Sequence, residues 1–310
     1  MTTAVADAPL LTARPKRRRR SIAGNTRFAV LLLLPATVYI LLFVGGPLVR
    51  LVRDSFRNNA GTRYVGFANY RFALESSDIR AAFVRTCIYI VGVVSVEFIL
   101  GVTVALLFYW LGDRSRWVRT IFLYPLMIAP VVAGLMWRFL LIDNYGIVNQ
   151  LLTDLHIISS PDAFSWLSDT KYSLMSVMLP DIWLTTPFVT LVVFGALQTV
   201  SPEVMEAARM DGAGVVRTAW SVLLPIVRPV LAVALVIRGV DASQAFATIA
   251  VQTGGGPQSS SETLSLTIYR AIVRYSEPGT GGAMAVMFML LLIIAAGIAA
   301  GLLWRPGRDR

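Results

Sequence analysis

One polar segment decides how this chain is organised, and its sequence is Glu203-Val-Met-Glu-Ala-Ala-Arg-Met-Asp-Gly-Ala-Gly-Val-Val-Arg-Thr-Ala-Trp-Ser-Val-Leu-Leu-Pro225. The segment is rich in small residues, has helical spacing and lies between two apolar runs that are long enough to cross a bilayer. A face of small residues allows close approach of another chain. The segment is therefore a predicted docking site on a membrane protein.

The residues around position 202 predict the start of a short helix. Ser201 is a favourable N-cap, Pro202 is favourable at the first helical position, and Glu203 lies near the positive end of the helix dipole. Gly212 and Gly214 then permit the sharp turn that returns the chain toward the next apolar run. From these residues alone, an ordinary amphipathic loop helix at the membrane interface stays open as an alternative.

Three short motifs in the segment are spaced as in a known family. They are Glu206-Ala207-Ala208, Gly212 after three further residues, and Val222-Leu223-Leu224-Pro225 after nine more. This spacing resembles the EAA loop of binding-protein-dependent ABC importer permeases, with Val222 in place of the usual Ile. The resemblance implies a cytoplasmic coupling helix, within a loop of about residues 201–225, that sits in a cleft of a separate ATPase subunit. The coupling residues that it implies are Glu206, Ala207, Ala208, Asp211, Gly212 and Pro225.

Composition places the chain in a membrane. Of its 310 residues 56% are hydrophobic and only 15% are charged, whereas about 25% charge is usual in soluble domains. The net charge of +10 would suit nucleic acid, but the basic residues are scattered over loops and the N-terminal tail, so no nucleic-acid partner is expected. Cys87 and His156 are the only cysteine and the only histidine, so neither an internal disulfide nor a metal site is predicted.

Six apolar runs are each long enough to cross about 30 Å of hydrocarbon as a helix. They predict an all-α integral membrane protein with six transmembrane helices, in which a flexible basic tail at residues 1–24 precedes one permease domain at residues 25–310. The first run is too long for a signal peptide and lacks a cleavage site, so it is expected to stay as a span. The predicted spans are about residues 28–49, 86–110, 121–142, 173–200, 229–251 and 283–304.

Charge distribution predicts the orientation in the cell membrane. Six spans place both termini on one side, together with the arginines of residues 114–119 and 305–310, and the positive-inside rule makes that side the cytoplasm. Residues 50–85 disagree, because they carry seven arginines against three acidic residues and fall outside. Since the first span and its basic flank usually dominate orientation, both termini and the coupling loop are predicted to be cytoplasmic.

No catalytic constellation emerges from the sequence. A phosphate-binding loop of the Gly-x-x-x-x-Gly-Lys-Ser/Thr type is absent, and Lys16 and Lys171 are the only lysines. The chain is therefore expected to be a transport subunit rather than an enzyme and to hold no cofactor of its own. ATP and Mg²⁺ are expected on the partner ATPase.

Ionisable residues inside apolar spans are costly and are therefore candidates for function or for pairing. Arg238 and Asp241 stand three residues apart, a spacing that lets opposite charges pair along one helix face. Two alternatives stay open: the charges neutralise one another, also across the bundle, or they line a solute path. The ionisable residues within the spans are Glu97, Arg138, Asp181, Arg238 and Asp241.

Two further stretches resemble carbohydrate-type importer permeases. One extends from Arg238 to Pro257, with Ser243 where the family pattern usually has an aromatic residue, and the other is Asp181-Ile-Trp-Leu-Thr-Thr-Pro-Phe188. The resemblance implies a solute site midway through the bilayer on these two spans. Amide, carboxylate, hydroxyl and aromatic side chains are suited to hold a sugar. The implied solute-path residues are Asp181, Trp183, Asp241, Ser243, Gln244 and Thr248.

Nearly the whole chain resembles the maltose, glycerol-phosphate and lactose type of ABC importer permease. This implies a subunit that pairs with a second permease, an ATP-binding cassette ATPase dimer and an extracytoplasmic solute-binding protein, and that translocates a di- or oligosaccharide or a polyol. A glycerol-phosphate-type solute is an alternative. A secondary transporter is disfavoured because no inverted repeat is evident, and an intramembrane enzyme using Asp181 and Asp241 lacks a His, Ser or metal partner.

Overall fold

The computed structural model describes residues 22–143 and 145–303. This part of the chain is helical, with π-helical and 3₁₀ segments and loops between the α-helices, and it has no β-strand beyond one isolated bridge between Arg57 and Tyr64. The prediction of an all-α protein is confirmed. The α-helices in chain order are α1 (Ile22–Ile40), α2 (Gly46–Ser55), α3 (Ala68–Glu75), α4 (Ser77–Leu111), α5 (Arg116–Phe122), α6 (Pro130–Leu140), α7 (Ile147–Asp154), α8 (Ser173–Leu197), α9 (Pro202–Met210), α10 (Val215–Thr218), α11 (Leu224–Ser243), α12 (Ala247–Gln252), α13 (Leu264–Tyr269) and α14 (Pro278–Leu303).

The chain divides into two compact units, one that ends at Arg50 and one that begins at Leu51. In the first unit, α1 passes through a π-helical segment at Leu41–Gly45 into α2. Side chains 28–44 are all exposed, and the helix is apolar on every side. Such a helix is suited to lipid or to contact with another chain. Residues 1–21 of the predicted basic tail lie outside the described residues.

The count of six spans is not confirmed. Five helical stretches of the described residues are long and apolar enough to cross a membrane, and the predicted span at 121–142 is not among them as one helix. α5 ends at Phe122, a 3₁₀ turn covers Tyr124–Met127, and α6 starts only at Pro130. Pro125 and Pro130 lack a backbone N–H, so each sits at the start of a new helix instead of continuing the previous one.

The second unit is built around α4 and α8, which pack along each other. A Cβ atom at Gly101 would lie 2.7 Å from Val189 Cγ1, so this close approach of the two helices requires glycine. Buried Tyr89 and Val93 of α4 belong to one apolar cluster with Val177 of α8. The helix pair therefore forms a tightly packed frame for the polar residues described below.

Proline residues shape the middle of the bundle. α8 continues without interruption through Pro180 and Pro187. Pro180 has no N–H to bond the carbonyl of Ser176, and the Nε2 atom of Gln252 donates to that carbonyl at 3.3 Å. A side chain of α12 thus replaces the missing backbone hydrogen bond of α8.

The predicted fifth span at 229–251 is interrupted. α11 ends at Ser243, α12 begins at Ala247, and residues 244–246 between them are not helical. Non-helical backbone at membrane depth is tolerated only where it is buried in protein or lines a cavity. Residues 244–246 are therefore expected to be buried among other helices or to line a cavity within the bundle.

α4 is long enough to extend from one end of the second unit to the other. With 35 residues, the helix extends over about 52 Å. Near its C-terminal end, Ala105 belongs to an apolar cluster with Leu197 and Leu223, against which Met205 of α9 packs. Near its N-terminal end, the Thr86 hydroxyl accepts a hydrogen bond from Leu264 N at 2.8 Å. The predicted coupling segment and the loop before α13 therefore lie at opposite ends of the bundle.

Candidate functional site

An ion pair between Arg238 on α11 and Glu97 on α4 lies inside the bundle of the second unit. Nε of Arg238 donates to Glu97 Oε2 and Nη2 donates to Oε1, both at 2.8 Å. The two side chains are 2% and 0% exposed. Two parallel N–H···O bonds are the strongest arrangement of a guanidinium and a carboxylate. α4 and α11 are therefore joined by a buried, doubly hydrogen-bonded contact.

Four more side chains surround this ion pair. Nη2 of Arg238 lies 3.6 Å from Asp181 Oδ1, and Nη1 donates to Asp241. The Tyr89 hydroxyl donates to Asp181 Oδ2 at 3.0 Å, and the Thr185 hydroxyl donates to Glu97. Side chains of α4, α8 and α11 thus meet at one arginine. We call this group the charge cluster, and its members are Tyr89, Glu97, Asp181, Thr185, Arg238 and Asp241.

The three carboxylates of the cluster depend on Arg238 to different degrees. A buried charge without a partner costs several kcal/mol, and Arg238 is the one cation that the described residues bring to these carboxylates. Asp241 is spared much of this cost because 67% of its side chain is exposed. Asp181 is 14% exposed and also accepts from Tyr89. Glu97, which is fully buried, therefore depends most strongly on the arginine.

The observed ion pairs agree with the first of the two alternatives for the ionisable residues, in which their charges neutralise one another. Arg238 pairs with Asp241 on its own helix and with Glu97 across the bundle, as one interpretation predicted. Arg138, the remaining ionisable residue of the spans, is exposed on α6 and donates to the Val251 carbonyl at 3.0 Å. A role of the cluster in a solute path stays a prediction.

Trp183 and Thr248, two of the predicted solute-path residues, lie where α6 meets α8 and α12. The ring of Trp183 is half-buried and meets Trp137 of α6 edge-on, with the ring centroids 6.4 Å apart. Thr248 is buried, and its Cα would lie 3.1 Å from a Cβ atom at Gly134 of α6. Both residues therefore take part in close helix packing.

Ser243 and Gln244 stand at the end of α11. The buried Ser243 hydroxyl donates to the Val240 carbonyl of its own helix at 2.5 Å. Gln244 is exposed and lines a cavity of about 520 Å³ between α11, α13 and α14. In the part of the chain that the structure describes, neither side chain bonds to the charge cluster. Of the predicted path residues, the structure thus brings Asp181 and Asp241 together at the arginine.

Sequence reasoning missed Tyr89 and Thr185, which both donate to carboxylates of the cluster. Tyr89 stands eight residues before Glu97, which is about two turns of α4 on the same face. Thr185 stands four residues after Asp181, one turn further along α8. Polar residues at helical spacing from a carboxylate in an apolar span are the signal that could have found both.

The predicted coupling segment forms a second candidate site. Its first helix, α9, begins at Pro202, so the predicted start is confirmed. The pKa of the Glu203 carboxyl lies below its usual range because its own backbone N–H and the Ser201 hydroxyl donate to it. Ala208 is buried, and Met205 packs on the apolar core of the bundle. One face of α9 is therefore attached to the bundle.

The turn after α9 has the backbone geometry that its glycine predicts. Asp211 caps the helix through its backbone N–H, which donates to the Ala207 carbonyl at 3.0 Å. Gly212 follows with φ of +69°, a left-handed conformation that glycine adopts without steric cost. Pro225 lies at the start of α11, where a missing N–H does no harm.

Several apolar side chains of the coupling segment are exposed, together with Glu206 and Ala207 of its motif. Met210 is 88% exposed, and Val216 and Trp220 are each 71% exposed. Exposed apolar residues that adjoin polar ones are typical of a surface that binds another protein. We call these residues the docking surface, and its members are Glu206, Ala207, Met210, Val216 and Trp220.

Comparisons with known proteins agree with this architecture. Residues 75–305 match the family described as binding-protein-dependent transport system inner membrane component. The chain is 31% identical to the sulfoquinovosyl glycerol transport system permease protein SmoG of Agrobacterium fabrum, over 91% of this chain and 92% of that protein. It is 33% identical to the diacetylchitobiose uptake system permease protein DasB of Streptomyces coelicolor, over 89% and 87% of the two chains. Its fold is similar to the crystal structure of a bacterial alginate ABC transporter in complex with an alginate pentasaccharide-bound periplasmic protein, with a TM-score of 0.79 at 21% identity over 91% of this chain and 96% of that one.

Proposed function

The chain belongs to the family of binding-protein-dependent transport system inner membrane components, and we propose that it is the permease subunit of an ATP-driven sugar importer. It is a multi-pass membrane protein. The proposed solute is a di- or oligosaccharide or a polyol. Two relatives that are about one-third identical support this class, since one is named for transport of sulfoquinovosyl glycerol and the other for uptake of diacetylchitobiose.

The form of the coupling segment carries the proposal that ATP hydrolysis on another subunit drives transport. α9 presents Glu206, Ala207 and Met210 to the outside while Met205 and Ala208 hold its other face to the bundle. A helix attached on one face and exposed on the other is suited to insert into a cleft of a partner. We therefore assign the docking surface to an ATP-binding cassette ATPase, which would bind ATP and Mg²⁺.

The other proposed partners are a second permease subunit and an extracytoplasmic solute-binding protein. The exposed apolar side chains 28–44 of the first unit are suited to contact a second permease as well as lipid. The family description itself refers to binding-protein-dependent transport, and the solved alginate transporter is described in complex with a periplasmic protein. By this analogy a binding protein would deliver the sugar to the side of the bundle opposite the coupling segment.

A physical connection links the docking surface to the charge cluster. Met205 packs against an apolar cluster that contains Leu197 at the end of α8 and Leu223 just before α11. Arg238 lies further along α11, where it bonds Glu97 of α4. Movement of α9 by an ATPase would thus be passed to α8 and α11, and the helices would rock around the central site to give alternating access.

The substitution Glu206→Lys tests the coupling role. We expect solute uptake and solute-stimulated ATP hydrolysis to fall more than tenfold, while the amount of protein in the membrane stays unchanged because Glu206 is exposed. Glu203→Gln is the nearby control, since it changes an exposed residue of the same helix outside the motif and keeps an oxygen that accepts from the Ser201 hydroxyl, and it should retain most of the uptake. Normal uptake by Glu206→Lys would show that the docking surface is not the coupling site.

Cysteine labelling tests the proposed orientation, with both termini and the coupling segment in the cytoplasm. In a Cys87→Ser background, single cysteines are placed at the exposed positions Ser77 and Asp113, which lie at opposite ends of α4 and outside the docking surface. An impermeant thiol reagent applied to intact cells should label the cysteine at Ser77 and leave the one at Asp113 unlabelled until the membrane is opened. The reverse pattern would invert the proposed topology and would place the coupling segment away from any cytoplasmic ATPase.

A further inference from the structure

An apolar cavity of about 210 Å³ lies between α3, α4 and α14. It is at the N-terminal end of α4, and therefore at the membrane face opposite the coupling segment. Apolar side chains of the three helices line it, among them Ala73, Leu74, Ile79, Phe83, Met284 and Phe288. A cavity with this apolar lining offers few hydrogen-bonding partners to a polar solute such as a sugar.

The depth of the cavity follows from the positions of its residues along α14. Met284 and Leu291 stand six and thirteen residues after the start of the helix at Pro278, which corresponds to about 9 and 20 Å along its axis. At the other wall, Ile79 and Phe83 belong to the first two turns of α4. Because the predicted spans start at about residues 86 and 283, we place Ile79 and Phe83 at the level of the membrane interface and Leu291 about 12 Å deeper, in the hydrocarbon region.

A single charged side chain, that of Arg80, is part of the cavity wall. Arg80 lies in the first turn of α4, is exposed, and forms no ion pair with any described residue. A cation is thus held at the interface level of an otherwise apolar cavity. This distribution of charge and apolar surface is complementary to an amphiphile with an anionic head.

The proposed transport function leaves the arginine excess of residues 50–85 unexplained. Several of these arginines have partners within the protein: Arg57 donates to the Gly61 carbonyl at 3.1 Å, Arg71 pairs with Glu75 at 2.7 Å, and Arg85 donates to a backbone carbonyl at 2.8 Å. Arg80 differs from them because it faces the cavity. Its exposed guanidinium is available to a ligand outside the chain.

We propose that this cavity, together with Arg80, binds one anionic phospholipid. An acyl chain enters the apolar cavity, and the lipid phosphate contacts the guanidinium of Arg80. The cavity is smaller than most sites for a whole small molecule, since ligand-binding clefts and cavities usually measure about 300–1,000 Å³, and its volume is therefore better suited to part of one acyl chain. The rest of the lipid stays in the bilayer, and the site does not depend on which solute is transported.

Native mass spectrometry tests the proposal on the full-length protein, in the complex with which it copurifies. The complex is reconstituted in nanodiscs of equal phosphatidylglycerol and phosphatidylcholine, and retained lipids are counted. The unmodified protein should retain one phosphatidylglycerol in preference to phosphatidylcholine. Arg80→Gln should lower that preference about fivefold, the usual contribution of one basic residue near an anionic lipid. Leu74→Asn, at an exposed part of the wall, should lower retention of both lipids.

Arg71→Gln is the matched control, because it removes one positive charge from the same segment at a residue that does not line the cavity. It should leave phosphatidylglycerol retention unchanged. Equal loss in Arg71→Gln and Arg80→Gln would show diffuse attraction of lipid instead of a site. Absence of a retained lipid on the unmodified protein would overturn the proposal. A cross-link between Leu74→Cys and a second permease subunit would assign the cavity to a protein contact and would overturn it as well.

Discussion

The charge cluster and the docking surface hold carboxylates in opposite surroundings. Glu97 in the cluster is fully buried, and both of its oxygens accept from Arg238, a residue 141 positions away in the sequence. Glu206 on the docking surface is exposed and forms no ion pair with the described residues. A buried charge must find its partner within the chain, whereas an exposed one stays available to another protein.

This difference also separates the expected effects of mutation. Changes in the charge cluster should act first on stability, because they leave buried polar groups without partners. Changes on the docking surface should act on transport and leave the fold intact. The following predictions test that separation.

The largest effect is expected from Arg238→Gln. This change leaves the buried Glu97 carboxylate without its cation and should lower the free energy of unfolding by about 3–5 kcal/mol. Thermal unfolding of the purified protein and its yield from membranes measure the loss. The double variant Glu97→Gln/Arg238→Gln should recover much of it, since the buried charge is then removed. If the double variant is no more stable than Arg238→Gln, the ion pair does not account for the loss. Arg138→Gln, at an exposed position, serves as the control.

Tyr89→Phe should have the next largest effect. It removes the hydroxyl that donates to Asp181, and a hydrogen bond to a charged group contributes about 1.5–3 kcal/mol to the free energy of unfolding. Denaturant or thermal unfolding measures the change. Tyr145→Phe, which removes the hydroxyl of a tyrosine that is 81% exposed, should have no effect on stability. Equal stability of the two variants would show that the Tyr89 hydroxyl does not stabilise the cluster.

Gly212→Ala should lower transport strongly and stability only slightly, the opposite of what is expected for the charge-cluster variants. A side chain at φ of +69° costs about 1–2 kcal/mol, which is confined to the exposed turn after α9. We expect uptake to fall at least tenfold and the membrane level of the protein to stay near normal. Gly214→Ala is the control, because Gly214 has φ of −68° and accepts alanine without strain. Loss of transport in both variants would mean that the turn geometry is not what matters.

Asp241→Ala should have the smallest effect on stability, below about 1 kcal/mol, because its side chain is largely exposed to solvent. As a predicted solute-path residue, it should nevertheless lower solute uptake severalfold. Gln244→Ala, one turn further along, should act in the same direction. Uptake by both variants at the unmodified rate over a range of solute concentrations would place the path elsewhere. A lower yield of intact protein from Asp241→Ala would instead favour a structural role.

The sequence predicted local features of the coupling segment well. Its helix start at Pro202 and the turn at Gly212 follow from backbone rules that act within a few residues, and both are confirmed. The implied function of these residues rests on the motif spacing and stays a proposal.

Other features escaped because they depend on contacts between distant residues. Hydropathy does not reveal that the predicted third span is divided before Pro130, or that the fifth is interrupted at residues 244–246. In the cluster, the sequence could name Glu97 and Arg238 as possible partners but could not choose between pairing on one helix and pairing across the bundle. The structure shows both, since the guanidinium has donors on several sides.

The interruption at residues 244–246 also allows α11 and α12 to move differently. α12 is clamped, because Gly134 of α6 lies against it and Gln252 bonds the Ser176 carbonyl of α8. α11 is a continuous helix of 20 residues, about 30 Å long and with Pro229 inside it, that starts at the end of the coupling segment and stops at this joint. A tilt of a helix of this length by about 10° would displace one end by about 5 Å relative to the other. We expect the joint to let α11 tilt while α12 keeps its contacts, and Arg238 would then move with α11 relative to Glu97 of α4.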